Sequence, residues 1–343
     1  MALRFYTGFD YYDETDVSRL WARSSGGMSI TPGRWGGRAW GWDNTGGYLA
    51  TPIPNATTVI VGMAFNCAYG DASIPFLIFQ DSTTSPLTPA TQVDIRITND
   101  GNFQATRNGT VLTTTTGGIV TPFANWYYLE VKTTISDSSG AVSIRINGQT
   151  FLSTTGLDTK YTANNYVNMI RFQPSAVDGS IPLNFKIDDV YICDDTGTFN
   201  ADFRGECRVQ TQFPTNNGDR NDFQAIGAAS NWQAVDEIIA DDDATYVRSG
   251  HIGDIDDYEM GTVSLTGNIF GMQVNVTHRK DDVGSRVITP YINSSGTAAE
   301  GALFTCQSDY MVAQKIWESD PHTSAAWTNT ALNATKVGLK IKG

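Results

Sequence analysis

The sequence of 343 residues is poor in the residues that build metal and nucleophile sites, because it contains only four cysteines and three histidines. Cys67, Cys193, Cys207 and Cys306 form no Cys-x-x-Cys pair, so we expect no structural zinc site. We interpret them as buried thiols. A Cys193–Cys207 disulfide stays an alternative that spacing does not decide. The histidines lie in no recognisable catalytic motif, and the glycines open no helix as a phosphate loop would.

Long apolar runs and basic patches are also scarce. No apolar run approaches the ~20 residues that span a bilayer, so we expect no membrane span. The formal net charge is -13. It divides into -5 up to residue 200 (12 basic, 17 acidic) and -8 after it (11 basic, 19 acidic). We therefore expect no direct contact with nucleic acid. Residues 1–30 lack a charged start followed by an apolar core, so we expect no signal peptide.

What the chain does contain favours short strands joined by turns. Charged residues make up 17% of the sequence and there are 33 glycines. Threonine, serine and asparagine are abundant and long helical patterns are absent, which predicts an all-β fold. Because 343 residues exceed one usual core, we expect two β-sandwich domains, residues 1–198 and 199–343.

The clearest element is an antiparallel strand pair within residues 125–151. Apolar residues alternate with polar ones along residues 127–134 and again along residues 142–147, which is the period of a strand. Residues 137–140 form a turn cluster, and Asn147-Gly148 predicts a type I′ turn. Trp126, just before the first strand, is expected to be buried at one end of the core.

This stretch resembles the concanavalin A-like, or laminin-G-like, jelly roll. Residues 185–192 (Phe-Lys-Ile-Asp-Asp-Val-Tyr-Ile) resemble the closing strand of that family, and residues 5–10 resemble its opening strand. The resemblance covers roughly residues 1–200. It implies a jelly-roll fold for the first domain, and the family includes lectins, glycosidases, adhesion modules and viral structural modules.

The second half shows a different resemblance. Residues 241–247, 269–279 and 320–327, in that order, are similar to the C-terminal domain of tailed-bacteriophage virion proteins, in which a laminin-G-like module often precedes it. Residues 269–279 and 337–342 alternate as strands. Residues 232–239 have the apolar spacing of one helical turn.

Residues 33–42 combine tryptophan with glycine and provide the candidate ligand contacts. One interpretation is a strand packed by its own tryptophans, with glycines that relieve close backbone contacts. The other is an aromatic platform for a sugar ring, which makes Trp35, Trp40 and Trp42 the candidate carbohydrate-binding residues.

The acidic strings offer little catalytic chemistry. A glycosidase of the concanavalin A-like fold would need two carboxylates on one strand face. Residues 254–259 (Asp-Ile-Asp-Asp-Tyr-Glu) come nearest, but they follow a loop signal and lie outside the first domain. We interpret them as a solvated acidic loop and expect no catalytic residues. Calcium, which prefers several oxygen ligands, stays open at residues 188–189, 194–195, 241–243 and 254–257 as the alternative to no cofactor.

Together, the resemblances imply a non-enzymatic structural protein of a tailed-phage virion. It would be assembled in the host cytoplasm and lie on the capsid or tail surface. As partners we expect a second copy of the chain, other virion proteins and a host surface glycan. The alternatives are a carbohydrate-binding module and, third, a glycoside hydrolase or depolymerase.

Overall fold

The structure, a computed structural model, describes residues 3–23, 27–42, 47–67, 74–83, 88–118, 120, 125–174 and 185–343. The chain divides into two compact units, Met1–Gln210 and Thr211–Gly343. Residues 199–210 therefore group with the first unit, although the sequence predicts a boundary after residue 198. Whether each half folds alone stays a prediction. Within the described residues, no helix has the length and apolarity needed to cross a bilayer.

In its described residues, the first unit consists of antiparallel strands and a short 3-10 helix, Val17–Arg19. Its strands in chain order are β1 (Leu3–Thr7), β2 (Ala22–Arg23), β3 (Met28–Pro32), β4 (Arg38–Trp42), β5 (Leu49–Ala56), β6 (Thr58–Cys67), β7 (Ile74–Asp81), β8 (Ala90–Ile97), β9 (Phe103–Arg107), β10 (Thr110–Thr114), β11 (Tyr127–Thr134), β12 (Gly140–Ile146), β13 (Gln149–Leu157), β14 (Val167–Phe172) and β15 (Phe185–Asp194).

These strands form two sheets that pack face to face. The first sheet has the order β13-β12-β11-β6-β15-β4-β3, with β1 also paired to β15, and the second has the order β10-β9-β8-β7-β14-β5-β2. One continuous hydrophobic core joins inward side chains of both sheets, such as Val131 and Ile144 of the first with Phe79 and Ile95 of the second. This is a β-sandwich, as the alternation predicts.

The antiparallel strand pair predicted within residues 125–151 is confirmed. Leu129 pairs with Ile146 and Thr134 with Ala141, so β11 and β12 run antiparallel over the predicted stretch. Asn147 (φ 49°) and Gly148 (φ 79°) both have the positive φ of a type I′ turn into β13. The prediction that Trp126 is buried at one end of the core is wrong: it is only partly buried, because it lies just before β11, which begins at Tyr127.

Strand β15 is shared between two neighbours along its length. Residues 185–187 pair with β4, whereas residues 190–193 pair with β1. Asp188 and Asp189 lie at the changeover, where the register with β6 also shifts and Asp189 adopts φ 49°. Such an irregularity leaves nearby backbone N–H groups without ladder partners.

The second unit is a smaller all-β structure. Its strands are β16 (Pro214–Asn221), β17 (Gln224–Ile226), β18 (Tyr246–Arg248), β19 (Ile255–Met260), β20 (Met272–His278), β21 (Val287–Ser294), β22 (Thr297–Glu300), β23 (Phe304–Thr305), β24 (Met311–Trp317) and β25 (Thr335–Ile341). One sheet has the order β16-β19-β25-β21-β22, with β23 also on β21. The β20–β24 pair packs against it, because Val274 and Trp317 share a cluster with Ile292 of β21.

Two sequence expectations for this unit are wrong. Residues 254–259 are not a solvated loop, because β19 lies between β16 and β25 and buries Asp256 and Asp257. The helical turn expected over residues 232–239 contracts to a 3-10 turn, Trp232–Ala234. Val235 then leaves helical geometry (φ -148°), and Ile238 is exposed rather than facing a core.

An α-helix that the sequence analysis missed, α1 (Asn329–Ala334), precedes β25. Asn329 and Asn333 lie four residues apart on one helix face. The Asn329 side chain accepts from the Leu265 N–H at 2.9 Å and donates to the Leu265 carbonyl at 2.8 Å. Asn333 does the same with Val263, at 2.8 and 3.0 Å. The two amides thus satisfy a backbone segment as a neighbouring strand would.

Candidate functional site

The three candidate tryptophans do not share a surface. Trp40 and Trp42 are two residues apart on β4, so both point the same way, and that way is into the core of the first unit. The Trp42 ring packs edge-on against Phe185 with centroids 6.2 Å apart. Trp35 is different, because 54% of its surface is exposed. The structure therefore supports the packing interpretation for Trp40 and Trp42 and leaves Trp35 as the accessible ring.

Trp35 is presented by residues 33–37, which we call the Trp35 loop and which joins β3 to β4. The Gly33 N–H donates to the Gly37 carbonyl at 2.8 Å and closes the base of the loop. The Arg34 N–H donates to Asp188 Oδ2 at 2.9 Å. The loop is thus tied both to itself and to β15, so the ring stands on a fixed backbone.

Two guanidinium groups lie over the Trp35 ring. The Arg34 guanidinium carbon is 4.9 Å from the ring centroid and that of Arg208 is 5.7 Å away, which is cation–π distance. The Arg34 side chain is nearly buried and forms an ion pair with Glu206. Arg208 is exposed, and its charge also opposes the rise in the pKa of the Asp10 and Asp189 carboxyls. The groups exposed here are the Trp35 indole ring and the Arg208 guanidinium.

Three carboxylates near the β15 changeover accept hydrogen bonds from the backbone N–H groups of residues 34, 38 and 209. Asp188 accepts from the Arg34 N–H, Asp10 accepts from the Arg38 N–H at 2.7 Å, and Asp189 accepts from the Val209 N–H at 2.7 Å. Glycine is favoured at positions 33 and 37, because an added Cβ would meet the Arg38 carbonyl and Asp188 at the first and Asp10 at the second. The carboxylates therefore fix both the Trp35 loop and the segment that carries Arg208.

Burial changes the ionisation of these groups. It raises the pKa of Asp188 to about 7, and the neighbouring Asp189 charge adds to this rise. Burial also raises the pKa of Asp189 to about 6, opposed by the Val209 N–H and by Arg34. Asp189 Oδ2 is buried without a hydrogen-bond partner among the described residues. Strongly shifted groups often mark functional sites, but here their described contacts are structural.

Residues 199–210, which we call the connector, are held on the first sheet by Glu130. This fully buried carboxylate accepts from the Tyr191 hydroxyl at 2.5 Å and from the backbone N–H groups of Arg204 (2.9 Å) and Gly205 (2.8 Å). The sequence gives no local signal for this role, because Glu130 reads as an outward position of an ordinary strand. The connector thereby places Arg208 next to Trp35, although the two residues are 173 positions apart in the sequence.

The acidic strings of the second unit are engaged in contacts of their own. Asp256 accepts from Tyr258 Oη at 2.5 Å and Asn231 Nδ2 at 3.0 Å, whereas Glu259 pairs with Lys336 at 2.6 Å. Asp243 pairs with Arg279 at 2.5 Å. Within the part of the chain that the structure describes, no three His, Cys, Asp or Glu side chains are grouped as a metal site. The calcium alternative stays a prediction.

The four cysteines are thiols, and the described residues contain no disulfide. Cys207 lies in the connector and Cys193 on β15. Burial raises the pKa of the Cys67 and Cys207 thiols to about 12, which disfavours the reactive thiolate. The interpretation as thiols, rather than a Cys193–Cys207 bridge, agrees with the structure, although Cys207 is partly rather than fully buried.

Comparison with known proteins does not assign this chain to a family. No protein family and no curated protein matches it. Among solved structures, the cellulose-induced protein Cip1 is similar at 15% identity with a TM-score of 0.42, over 55% of this chain and 96% of that one. Lectin I from Ulex europaeus, solved with the methyl glycoside of α-L-fucose, is similar at 13% identity and a TM-score of 0.39, over 55% and 96%.

Alginate lyase Aly36B is a third neighbour, at 14% identity and a TM-score of 0.36, over 56% of this chain and 92% of that one. The neighbours include a lectin and an enzyme named for a glycan. At these identities and scores, no residue role, ligand or reaction is transferred from them to this chain.

Proposed function

We propose that this chain is a non-catalytic β-sandwich protein that contacts glycans through Trp35, and that it does so as a structural protein on the surface of a tailed-phage virion. The observation that carries the glycan contact is the exposed Trp35 ring on a loop fixed by Asp188 and Asp10. The virion setting is supported by the sequence resemblances of both halves.

A fixed exposed indole suits ligand contact on energetic grounds. Tryptophan offers a large apolar face with few rotatable bonds, so little side-chain freedom is lost on binding. The Trp35 loop also loses little backbone freedom, because its base and Arg34 N–H are already bonded. Arg208 adds a hydrogen-bond donor next to the ring, where sugar hydroxyls would lie.

The glycan contact is tested on an array of bacterial surface polysaccharides with labelled full-length protein. We expect Trp35→Ala to weaken binding at least about tenfold, which corresponds to about 1.4 kcal/mol. The matched control is Tyr161→Ala, because Tyr161 is an equally exposed aromatic of the same unit, half of whose surface (50%) is accessible. Equal losses in the two variants, or no binding by the wild-type protein, would contradict the proposal.

A structural role in the virion requires that copies of the chain assemble with one another and that the chain is part of the phage particle. Flat sandwich faces suit symmetric packing between copies, so the proposal includes a homo-oligomer that contacts other virion proteins. Antibody labelling of intact particles should find the chain on the capsid or tail surface. Detection only in the soluble fraction of infected cells would contradict this part of the proposal.

The non-catalytic part is tested separately by turnover. Incubation with capsular polysaccharides and β-glucans should release no new chain ends. Cleavage that disappears in Glu259→Gln would identify a depolymerase instead, and would contradict the assignment of Glu259 to its ion pair with Lys336.

A further inference from the structure

A second cationic and aromatic pair lies on the outer face of the second sheet of the first unit. Arg171 belongs to β14, in the interior of that sheet, and Tyr48 immediately precedes β5. The Arg171 guanidinium carbon is 3.8 Å from the centroid of the Tyr48 ring, which is a stacked contact. Neither residue belongs to the Trp35 loop or to the connector.

Strand alternation sets the direction of Arg171. Its neighbours Ile170 and Phe172 are fully buried in the core, so Arg171 points to the opposite, outer face of the sheet. Arg171 pairs in register with Ala50 of β5 and Ile78 of β7. Neither of these neighbours supplies a negative charge.

The next carboxylate along this row is committed elsewhere. Asp94 of β8 pairs with Ile78, on the same face. Its carboxylate bonds Arg96 Nε at 2.5 Å and the Thr106 hydroxyl at 2.7 Å. Among the described residues, Arg171 therefore has no ion-pair partner. Its Nε is buried with no hydrogen bond to any described residue.

A half-buried cation without an anion is energetically unfavourable. Burial accordingly lowers the pKa of Arg171 from its usual value. The chain retains this group despite a net charge of -13, which would offer many carboxylates as partners. An anion from outside the chain would satisfy the guanidinium, and the planar fork of arginine fits a carboxylate with two parallel hydrogen bonds.

We propose that Arg171 and Tyr48 form a binding site for the carboxylate of an acidic sugar, such as a uronic acid residue of a bacterial polysaccharide. This inference rests on the proposed glycan-binding function and specifies one class of its ligand. Tyr48 holds the guanidinium plane, and Arg171 supplies the charge and the paired donors.

The test is isothermal titration of the full-length protein with a trigalacturonate, with the neutral trigalactose and with a sulfated trigalactose. We expect the trigalacturonate to bind at least tenfold more tightly than the neutral sugar. Arg171→Gln should abolish that preference, and Arg171→Lys should lose most of it because lysine keeps the charge but not the fork. The charge-matched control is Arg248→Gln, since Arg248 is an exposed arginine of the second unit that bonds only Gln224 among the described residues.

The outcomes separate this inference from the proposed function. Equal binding of trigalacturonate by wild type and Arg171→Gln overturns the site even if Trp35→Ala still abolishes binding of neutral glycans. Tighter binding of the sulfated sugar than of trigalacturonate overturns the carboxylate assignment. If Arg171→Gln does not fold, two other measurements test the site. One is trigalacturonate binding by Arg171→Lys, and the other is the loss of wild-type trigalacturonate binding at high salt. A wild-type binding constant that salt does not change contradicts an ionic contact.

Discussion

The two units share a fold class but are stabilised differently. The first has one core that runs between two large sheets and contains stacked and edge-on rings around Phe65. The second has separate small clusters, one around Ile288 and one around Ile292. Its strand β16 (Pro-Thr-Asn-Asn-Gly-Asp-Arg-Asn) carries almost no apolar side chains.

What replaces apolar burial in the second unit is hydrogen bonding from side chains to backbone. Asn231 bonds both Asp256 and the Phe223 carbonyl, while Asn329 and Asn333 bond residues 263–265. In the first unit, buried carboxylates also accept backbone N–H groups, at the β15 changeover, under the connector and at Asp81 and Asp194, but there they add to a continuous apolar core. The comparison predicts that apolar truncation harms the first unit most and that polar truncation harms the second.

The largest expected effect is from Phe65→Ala in the first unit. Phe65 is fully buried and its ring lies about 6 Å from those of Phe76, Phe103, Tyr127 and Phe185. Removing it should lower the free energy of unfolding of this unit by about 3–5 kcal/mol, because the surrounding rings cannot close the cavity. Urea unfolding followed by near-ultraviolet circular dichroism measures the loss. A loss below about 1 kcal/mol would show that the core is not continuous.

Asp256→Ala should have the next largest effect, and in the second unit. It leaves Asn231 Nδ2 and the Tyr258 hydroxyl without their buried acceptor, which should cost about 3 kcal/mol. Asp256→Asn, which keeps one acceptor, should cost less. The surface control Asp243→Ala removes an exposed pair with Arg279 and should cost under about 1 kcal/mol. Equal effects of the buried and exposed variants would remove the distinction drawn between these carboxylates.

A pH-dependent difference should follow from Asp188 and Asp189 in the first unit. Their folded-state pKa values are raised to about 7 and about 6, above the ordinary value of 3.8. The folded state therefore holds more protons than the unfolded chain between about pH 4 and pH 7. The stability they contribute is complete below about pH 4 and is lost as the pH rises through about 7.

Asp188→Asn should remove part of this dependence, because asparagine can still accept from the Arg34 N–H without carrying charge. Relative to wild type, the variant should gain about 1–3 kcal/mol between pH 5 and pH 8. The difference between the two proteins is the decisive quantity, since hydrogen bonds to Asp81 lower its pKa and act in the opposite direction. Parallel stability curves for the two proteins would contradict the assignment.

Local patterns predicted the elements of the first unit because their causes are local. The period of two along β11 and β12, and the tolerance of Asn147-Gly148 for positive φ, depend on neighbours in sequence. The change of partner along β15 could not be predicted in this way. It depends on β1 and β4, which lie about 150 or more residues earlier in the chain.

The candidate sites were harder to predict from sequence, because they depend on contacts between residues that are far apart in the chain. Trp35 stood out by its residue type, but its separation from Trp40 and Trp42 follows from which face of β4 meets the core. Arg208 reaches Trp35 only because Glu130 and Asp189 hold the connector. Arg171 gave no signal at all, since its lack of an anionic partner is a property of the assembled sheet. Helix α1 was missed because six residues are too few for a helical period to show.

The smallest expected effect, and the sharpest test of polar stabilisation in the second unit, is from Asn333→Ala. Asn333 donates to and accepts from Val263, so alanine leaves one N–H and one carbonyl of that residue without their partners. Val263 is nearly buried, so water replaces these bonds poorly and the loss should be about 1–2 kcal/mol. Alanine is also the best helix former, so α1 itself should not suffer. Hydrogen exchange at the Val263 amide should rise in Asn333→Ala while that at Leu265, which Asn329 still holds, stays near wild type. Equal acceleration at both amides would mean that the helix, rather than the individual amides, holds this segment.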